Sequence, residues 1–285
     1  MKGQPPREYR VKEFLRLLLD QGAITAKAIA LMADPPMRDK KVYEALLRLR
    51  RRGLVRMRTE KVVGRPCAIY QLNQDAMARQ KVAEILDVDL DSTLQPHFRY
   101  REILHNDGCA LLAHNLKKHF PEAEVIRDFE FENSPLAQKI MITNDSERDL
   151  KPDVLLVFKD TTNKRLTSIS FEFEKTRKSN ARLKAKLKKY ASQSRVDGVV
   201  YICDEDRIKE AIQGNFESAV LPRALRVKHY SDYFLMFTKI KNININLSDT
   251  LYGLNQKTVS IDKWISFLRQ FKNTERRNTN IAIGG

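Results

Sequence analysis

Apolar residues recur at helical spacing over Tyr9–Gln21, where Val11, Phe14, Leu15, Leu18 and Leu19 share one face and Gly22 follows at the place of a C-cap. This pattern predicts a first helix. Thr25 stands as N-cap to a short second helix through Leu31 and Met32, and Asp34-Pro35-Pro36 then breaks the chain. Met37–Arg52 resumes with Val42, Ala45, Leu46 and Leu49 on one side, and Gly53 closes this third helix. Leu54–Met57 and Cys67–Leu72 read as two strands around the tip Glu60–Pro66, a hairpin.

Asp75–Leu86 is helical in pattern, and the acidic, turn-rich run Asp87–Pro96 (DVDLDSTLQP) has no period, which places a linker at 87–97. Phe98–Phe120 predicts a long helix bent at Gly108, with Ile103, Leu104, Leu111, Leu112, Leu116 and Phe120 inward. Glu124–Glu132 alternates, Leu150–Phe158 is largely apolar and Ser168–Glu174 alternates strictly, with Asp160–Lys164 as the turn between the last two. Arg182–Gln193 follows as a basic helix with Leu183, Leu187 and Tyr190 inward, then the apolar strand Val199–Cys203 and a helix over Arg207–Phe216. Helix, three strands, helix, strand, helix predicts an α/β domain over 98–240 with a mixed central sheet and a parallel last crossover. In the remaining chain Ala224–Phe237 contains a strand pattern. Lys241–Leu247 (KNININL) suggests an edge strand or extended arm, and Ile261–Phe271 a short helix in which Trp264 packs rather than stacks on a base. Residues 241–285 form a C-terminal extension whose polar end, Thr274–Gly285, is expected to be disordered.

Charge changes the picture. Lys and Arg outnumber Asp and Glu by 52 to 36, a formal +16 with a pI near 9.7, so a polyanionic partner is favoured. Residues 1–81 hold 19 basic and 8 acidic side chains, a net +11, and the other 204 residues net only +5. No signal-peptide core follows Met1 and no apolar run approaches the ~18 residues of a membrane span. Membrane insertion is therefore not expected, and the expected location is the cytoplasm. Cys67, Cys109 and Cys203 are far apart and form no C-x-x-C pattern, which points to reduced thiols.

The third helix carries Arg38, Lys40, Lys41, Arg48, Arg51 and Arg52 opposite its apolar stripe, and the hairpin adds Arg56, Arg58, Lys61 and Arg65. Three helices and a hairpin with this charge predict a winged helix-turn-helix over 1–86. Its third helix would enter the major groove of double-stranded DNA and its hairpin would lie on neighbouring phosphates or in the minor groove. The alternative is a basic face on a helical module that binds protein. Tyr43 is either a contact to base or phosphate or a packing residue.

In the second domain Lys151-Pro152-Asp153 precedes one strand and Phe171-Glu172-Phe173-Glu174-Lys175 ends the next. Alternation puts Ser168, Ser170, Glu172 and Glu174 on one face, and Ile169, Phe171 and Phe173 on the other. Asp153, Glu172 and Glu174 would then converge, a set of oxygen donors suited to Mg²⁺ or Mn²⁺, which would polarise a phosphodiester and lower the pKa of an attacking water. Lys175 falls on the wrong face to steady the transition-state charge. Arg182, Lys186 and Tyr190 line one side of the following helix, and Lys186 is the residue chosen for that role. The alternative is that the acids only make salt bridges with the basic helix at a solvated sheet edge. His105, His114 and His119 lack a carboxylate at ligand spacing and read as surface or capping residues.

These residues carry a resemblance. Through Pro152-Asp153, Phe171-Glu172-Phe173-Glu174 and the Arg182, Lys186, Leu187, Tyr190 run, the second domain resembles the PD-(D/E)XK nuclease fold. Over roughly residues 9–240 the chain resembles the replication-relaxation and MobC-type relaxase group, in which a winged helix precedes a degenerate nuclease-like domain. The fold group implies metal-dependent cleavage by Asp153 and a strand acid, and the relaxase group implies nicking at a transfer origin. Glu174 stands where the fold's motif has lysine, and Lys186 from the next helix is the substitute. The resemblance implies a site-specific, metal-dependent nickase or relaxase of plasmid or integrative-element mobilisation. Its partners would be origin-type DNA, relaxosome accessory or coupling proteins, and a second copy of the chain. A DNA-binding accessory or transcriptional regulator with an inactive nuclease-like domain is one alternative, and a transposase-associated or restriction-type endonuclease is another.

Overall fold

The computed structural model describes residues 7–62, 64–95, 98, 102–141, 150–160, 165–176, 178–192, 195–219, 234–239, 250–253 and 258–270. They form a mixed α/β protein of two compact units, Met1–His114 and Asn115–Gly285. The expected turn at 161–164, the strand pattern over 224–233, the KNININL segment and the 274–285 tail lie outside the described residues.

In the first unit helix α1 (Arg7–Gln21) leads to the short strand β1 (Ile24–Thr25), α2 (Ala26–Met32), α3 (Asp39–Arg51), the hairpin β2 (Val55–Val62) and β3 (Arg65–Leu72), and α4 (Ala76–Leu86). The three strands make one antiparallel sheet in the order β1-β3-β2. Local signals account for most of this. Gly22 ends α1 at φ +75°, where a Cβ would also meet the Phe98 ring at 2.2 Å. The Thr25 side chain accepts from Ala28 N as the cap of α2. The helices bury Phe14, Leu15, Leu18, Ile29, Val42, Leu46 and Leu49 against Tyr70 and Leu72 of the sheet. The hairpin is longer than its pattern suggested. Pairing continues through Glu60↔Cys67 to Val62↔Arg65.

The expected linker at 87–97 is not where the units divide. Gln95 Nε2 donates to Leu18 O at 2.6 Å, and Arg79 Nη2 donates to Leu90 O at 3.0 Å, which folds the described part of this segment back onto the first unit. In helix α5 (Ile103–His119) Asp107 accepts from both Thr25 N (3.0 Å) and Thr25 Oγ1 (2.7 Å). The division therefore falls inside α5, at His114. That helix runs unbroken through Gly108, and Leu104, expected inward, is 40% exposed.

The second unit is built on a seven-stranded sheet in the order β10-β9-β8-β7-β6-β5-β4. Its strands are β4 (Glu124–Arg127), β5 (Val154–Asp160), β6 (Arg165–Glu174), β7 (Gly198–Cys203), β8 (Leu235–Lys239), β9 (Thr250–Gly253) and β10 (Thr258–Ser260). β4, β5 and β6 are antiparallel, β6–β7 and β7–β8 are parallel, and β9 and β10 return antiparallel. The helices are α6 (Pro135–Met141), α7 (Asn180–Ser192), α8 (Asp206–Ala219) and α9 at 261–270. β4 stops earlier than the alternation to Glu132 implied, because Glu130 Oε2 accepts from Arg127 N at 2.7 Å and turns the chain into a 3-10 helix.

Each sheet face is covered. On one, Leu155, Val157, Val199, Tyr201, Leu235 and Phe237 pack with Leu183, Leu187 and Tyr190 of α7 and Ile208, Ile212 and Phe216 of α8. On the other, α9 lies so close that a Cβ on Gly198 would stand 2.6 Å from the ring of Trp264, the chain's one tryptophan, which is fully buried. Gly198→Ala is expected to destabilise this unit by about 1–3 kcal/mol through overpacking. Urea unfolding followed by Trp264 fluorescence would measure it, and an unchanged midpoint would contradict this packing.

Candidate functional site

Two groups of polar residues stand out, one in each unit. In the first unit every side chain singled out for DNA contact is exposed: Arg38, Lys40, Lys41, Tyr43, Arg48, Arg51 and Arg52 on or beside α3, and Arg58, Lys61 and Arg65 on the hairpin. Val42, Leu46 and Leu49 turn into the core, so helical periodicity sends the cations outward. Arg56 pairs with Asp75 at 2.7 Å and Arg58 with Glu60 at 2.6 Å, surface pairs that contribute little. Among the described residues no acid engages the side chains of Arg38, Lys40, Lys41, Arg48, Arg51 or Arg52. Tyr43 is 42% exposed and meets Tyr70 edge to face at 6.4 Å, so it is anchored by packing while part of its ring stays accessible. Arg50, not among the residues first chosen, is also exposed on α3, with Nη1 3.8 Å from Met57 Sδ. Its place in the basic run Arg48–Arg52 was the available signal.

In the second unit strand parity holds. Glu172 lies opposite Tyr201 and Glu174 opposite Cys203 across the parallel β6–β7 pair, on the face covered by α7 and α8. Lys175 lies over the Phe173 ring at 5.8 Å, as expected for the opposite parity. The acids are not at a solvated edge. β6 is an inner strand, Glu172 has no exposed surface and Glu174 is 2% exposed.

The helix above answers the buried charge. Lys186 Nζ donates to Glu172 Oε2 and Tyr190 OH donates to Glu172 Oε1, so both carboxylate oxygens are engaged from one side of α7. The two residues reach the same group because they are one turn apart. Lys178 Nζ pairs with Glu174 at 3.0 Å. Asp153 Oδ2 accepts from Phe173 N at 2.7 Å and ties the start of β5 to the end of β6. Arg182 is exposed and is not brought to the carboxylates by any hydrogen bond or ion pair among the described residues. Of the four residues assigned to catalysis, then, Glu172 and Lys186 meet directly, Asp153 lies beside them and Glu174 is held by Lys178.

Burial lifts the Glu172 carboxyl to about 7, against the pull of Lys186 and with a further upward push from Asp153. Burial pulls the Lys186 ammonium down, but Glu172 and Asp153 outweigh it and the net shift is upward. Tyr190 and Tyr201 are raised by burial and then by the Glu172 charge, so both phenols stay protonated. Ser170 Oγ and Tyr201 OH, on the same sheet face, are buried with no hydrogen-bond partner among the described residues. Neither hydroxyl was singled out from the sequence, although the parity of Ser170 with Glu172 was legible there; that of Tyr201 depends on the β6–β7 register.

The donor set has the right chemistry for Mg²⁺ or Mn²⁺ but not the access. A hydrated octahedral ion keeps several waters. Glu172 is sealed and bonded at both oxygens, and Glu174 is buried beside its lysine. As arranged, Asp153, Glu172 and Glu174 do not fit such an ion. His119 Nε2 lies 2.8 Å from Asp262 Oδ1.

Compared with known proteins, the chain matches no protein-family model, no curated protein and no solved structure.

Lys186→Met is expected to cost about 3–5 kcal/mol near pH 8, since it leaves a carboxylate buried without its cation. Glu172 titrates higher when folded (about 7) than its ordinary 4.5. The folded state therefore gains a proton first as pH falls, and stability rises toward low pH across that window. Part of the loss in the Lys186→Met protein should be regained below about pH 6. Urea denaturation across the pH range tests this, and an equal loss at both ends would show that Glu172 is not the charge left uncompensated.

Proposed function

We propose that this chain is a site-specific double-stranded-DNA-binding protein, an accessory or regulatory factor of an origin-type site. It would bind through a winged helix-turn-helix made by α1–α3 and the β2–β3 hairpin. The observation that carries this reading is the unpaired cation array of α3, six exposed Lys and Arg side chains that no described acid engages. Arg38, Lys40, Lys41, Arg48, Arg51 and Arg52 would replace condensed counterions on phosphates, and the outermost of them would reach base edges in the major groove. Lys61 and Arg65 would extend the contact from the hairpin, and Tyr43, fixed at one edge by Tyr70, would add a contact of defined orientation.

The strand and helix order from β4 to β7, three antiparallel strands and a helical crossover to a parallel fourth, supports the likeness of the second unit to a PD-(D/E)XK domain. The sealed Glu172 favours a scaffold role for that unit, with protein docking or self-association as its contribution. A second reading, nicking at a transfer origin, is favoured by one observation: Lys186 reaches Glu172 from the following helix, where a substitute for the motif lysine is needed. That activity requires the Glu172 cluster to open.

Two measurements separate the readings. Lys40→Gln, Arg48→Gln and Arg51→Gln together are expected to reduce the slope of log affinity against log salt by about 2–3. An unaltered slope would remove α3 from the interface. Supercoiled plasmid carrying the native flanking DNA is expected to stay supercoiled with Mg²⁺ or Mn²⁺. Relaxed circles that EDTA and Asp153→Ala both abolish would replace the accessory factor with the nickase, and linear product would point to a double-strand endonuclease.

A further inference from the structure

We infer that the outer face of α7 is a second phosphate-backbone contact surface for double-stranded DNA, a conclusion that rests on the reading of the chain as a DNA-binding protein. From Lys175 to Val196 the sequence contains no acid and nine basic residues, the longest such imbalance in the second unit. Five of the nine, Arg182, Lys184, Lys186, Lys188 and Lys189, lie on α7. This equals the whole +5 excess of the chain beyond residue 81. Lys186 is used inward, on Glu172.

Several other cations of this unit are paired with acids. Lys151 pairs with Glu132 at 2.8 Å, Lys159 with Glu124 at 2.7 Å and Lys239 with Asp206 at 3.0 Å, and Arg207 pairs with Glu205. By contrast Arg182, Lys184 and Lys188 are exposed and, among the described residues, have no acidic partner. Helical periodicity sets Arg182 on one flank of the outward ridge and Lys184 and Lys188 on the other. The ridge itself carries the exposed small side chains of Ala181 and Ala185. A phosphate backbone can approach such a ridge closely with cations on either side.

The test uses the full chain and fluorescence anisotropy of a random-sequence duplex of about 40 base pairs over a range of NaCl concentrations. Three proteins are compared: wild type, Arg182→Gln/Lys184→Gln/Lys188→Gln, and the α3 triple variant. The substituted α7 residues are exposed, so thermal melting should match wild type. The α7 variant is expected to lower the salt slope by about 2–3 and to bind about tenfold or more weakly at low salt. An α7 variant with wild-type slope and affinity beside a weakened α3 variant would overturn the inference and leave the α3 reading standing. A weakened α7 variant beside an unaltered α3 variant would do the reverse. Unaltered binding by both variants would overturn both. Loss of binding to phosphatidylserine vesicles by an α7 variant that keeps its duplex slope would assign the surface to anionic membrane and overturn the inference.

Discussion

Glu172 places a carboxylate with no exposed surface in the middle of a packed sheet face, and much of the second unit is arranged to make that tolerable. An unpaired buried carboxylate would cost several kcal/mol, and the compensation has to arrive from whatever covers the sheet. Lys186 and Tyr190 supply it from one side of α7, while Leu183 and Leu187 of the same helix pack into the core. Both sets of contacts are satisfied at one rotation and one axial position of the helix. The charge pair thus selects how α7 sits over β6, and with it the geometry of the crossover that makes β6 and β7 parallel. Asp153, bonded to Phe173 N, adds a tie on the other side of the strand end.

The same helix has an outward economy of charge that its inward face does not explain. The basic excess of the protein is concentrated on α3 and α7, each of which buries an apolar stripe and presents several exposed cations that no described acid engages. Elsewhere on the second unit Lys151, Lys159 and Lys239 are paired with acids. A surface that keeps like charges together forgoes local pairing, and it gains attraction for a polyanion. That clustering of cations supports the proposed nucleic-acid binding more directly than the acidic cluster supports cleavage.

The acidic cluster illustrates how a motif and a site can part company. Residue types and spacing suggested a cation held by Asp153, Glu172 and Glu174. In the folded chain Glu172 is occupied by an ammonium and a phenol, and Glu174 by Lys178. Lys186 was identified for a catalytic role on the strength of its helical spacing, and it does reach the strand acid. The contact itself neutralises that acid, which is the reason it also closes the site to a hydrated ion.

What the sequence determined by itself was local. Helix α1 with Gly22 at its end, the Thr25 cap, the inward Val42, Leu46 and Leu49 of α3, and the shared parity of Ser170, Glu172 and Glu174 all follow from neighbours within a few residues. Even the missed helix α6 had a local signal, since Ser134 Oγ accepts from Ala137 N and Pro135 opens the helix. Tertiary structure decided the rest. Parity states which side chains share a sheet face but not what will lie on that face, so only the docking of α7 and α8 turned an apparent edge of acids into a sealed pair. An acidic, irregular stretch reads as a linker until Gln95 and Arg79 bind it back to the first unit, and Asp107 reaching Thr25 from 82 residues away moves the division into α5. Those contacts join residues far apart in the chain, and no local period encodes them.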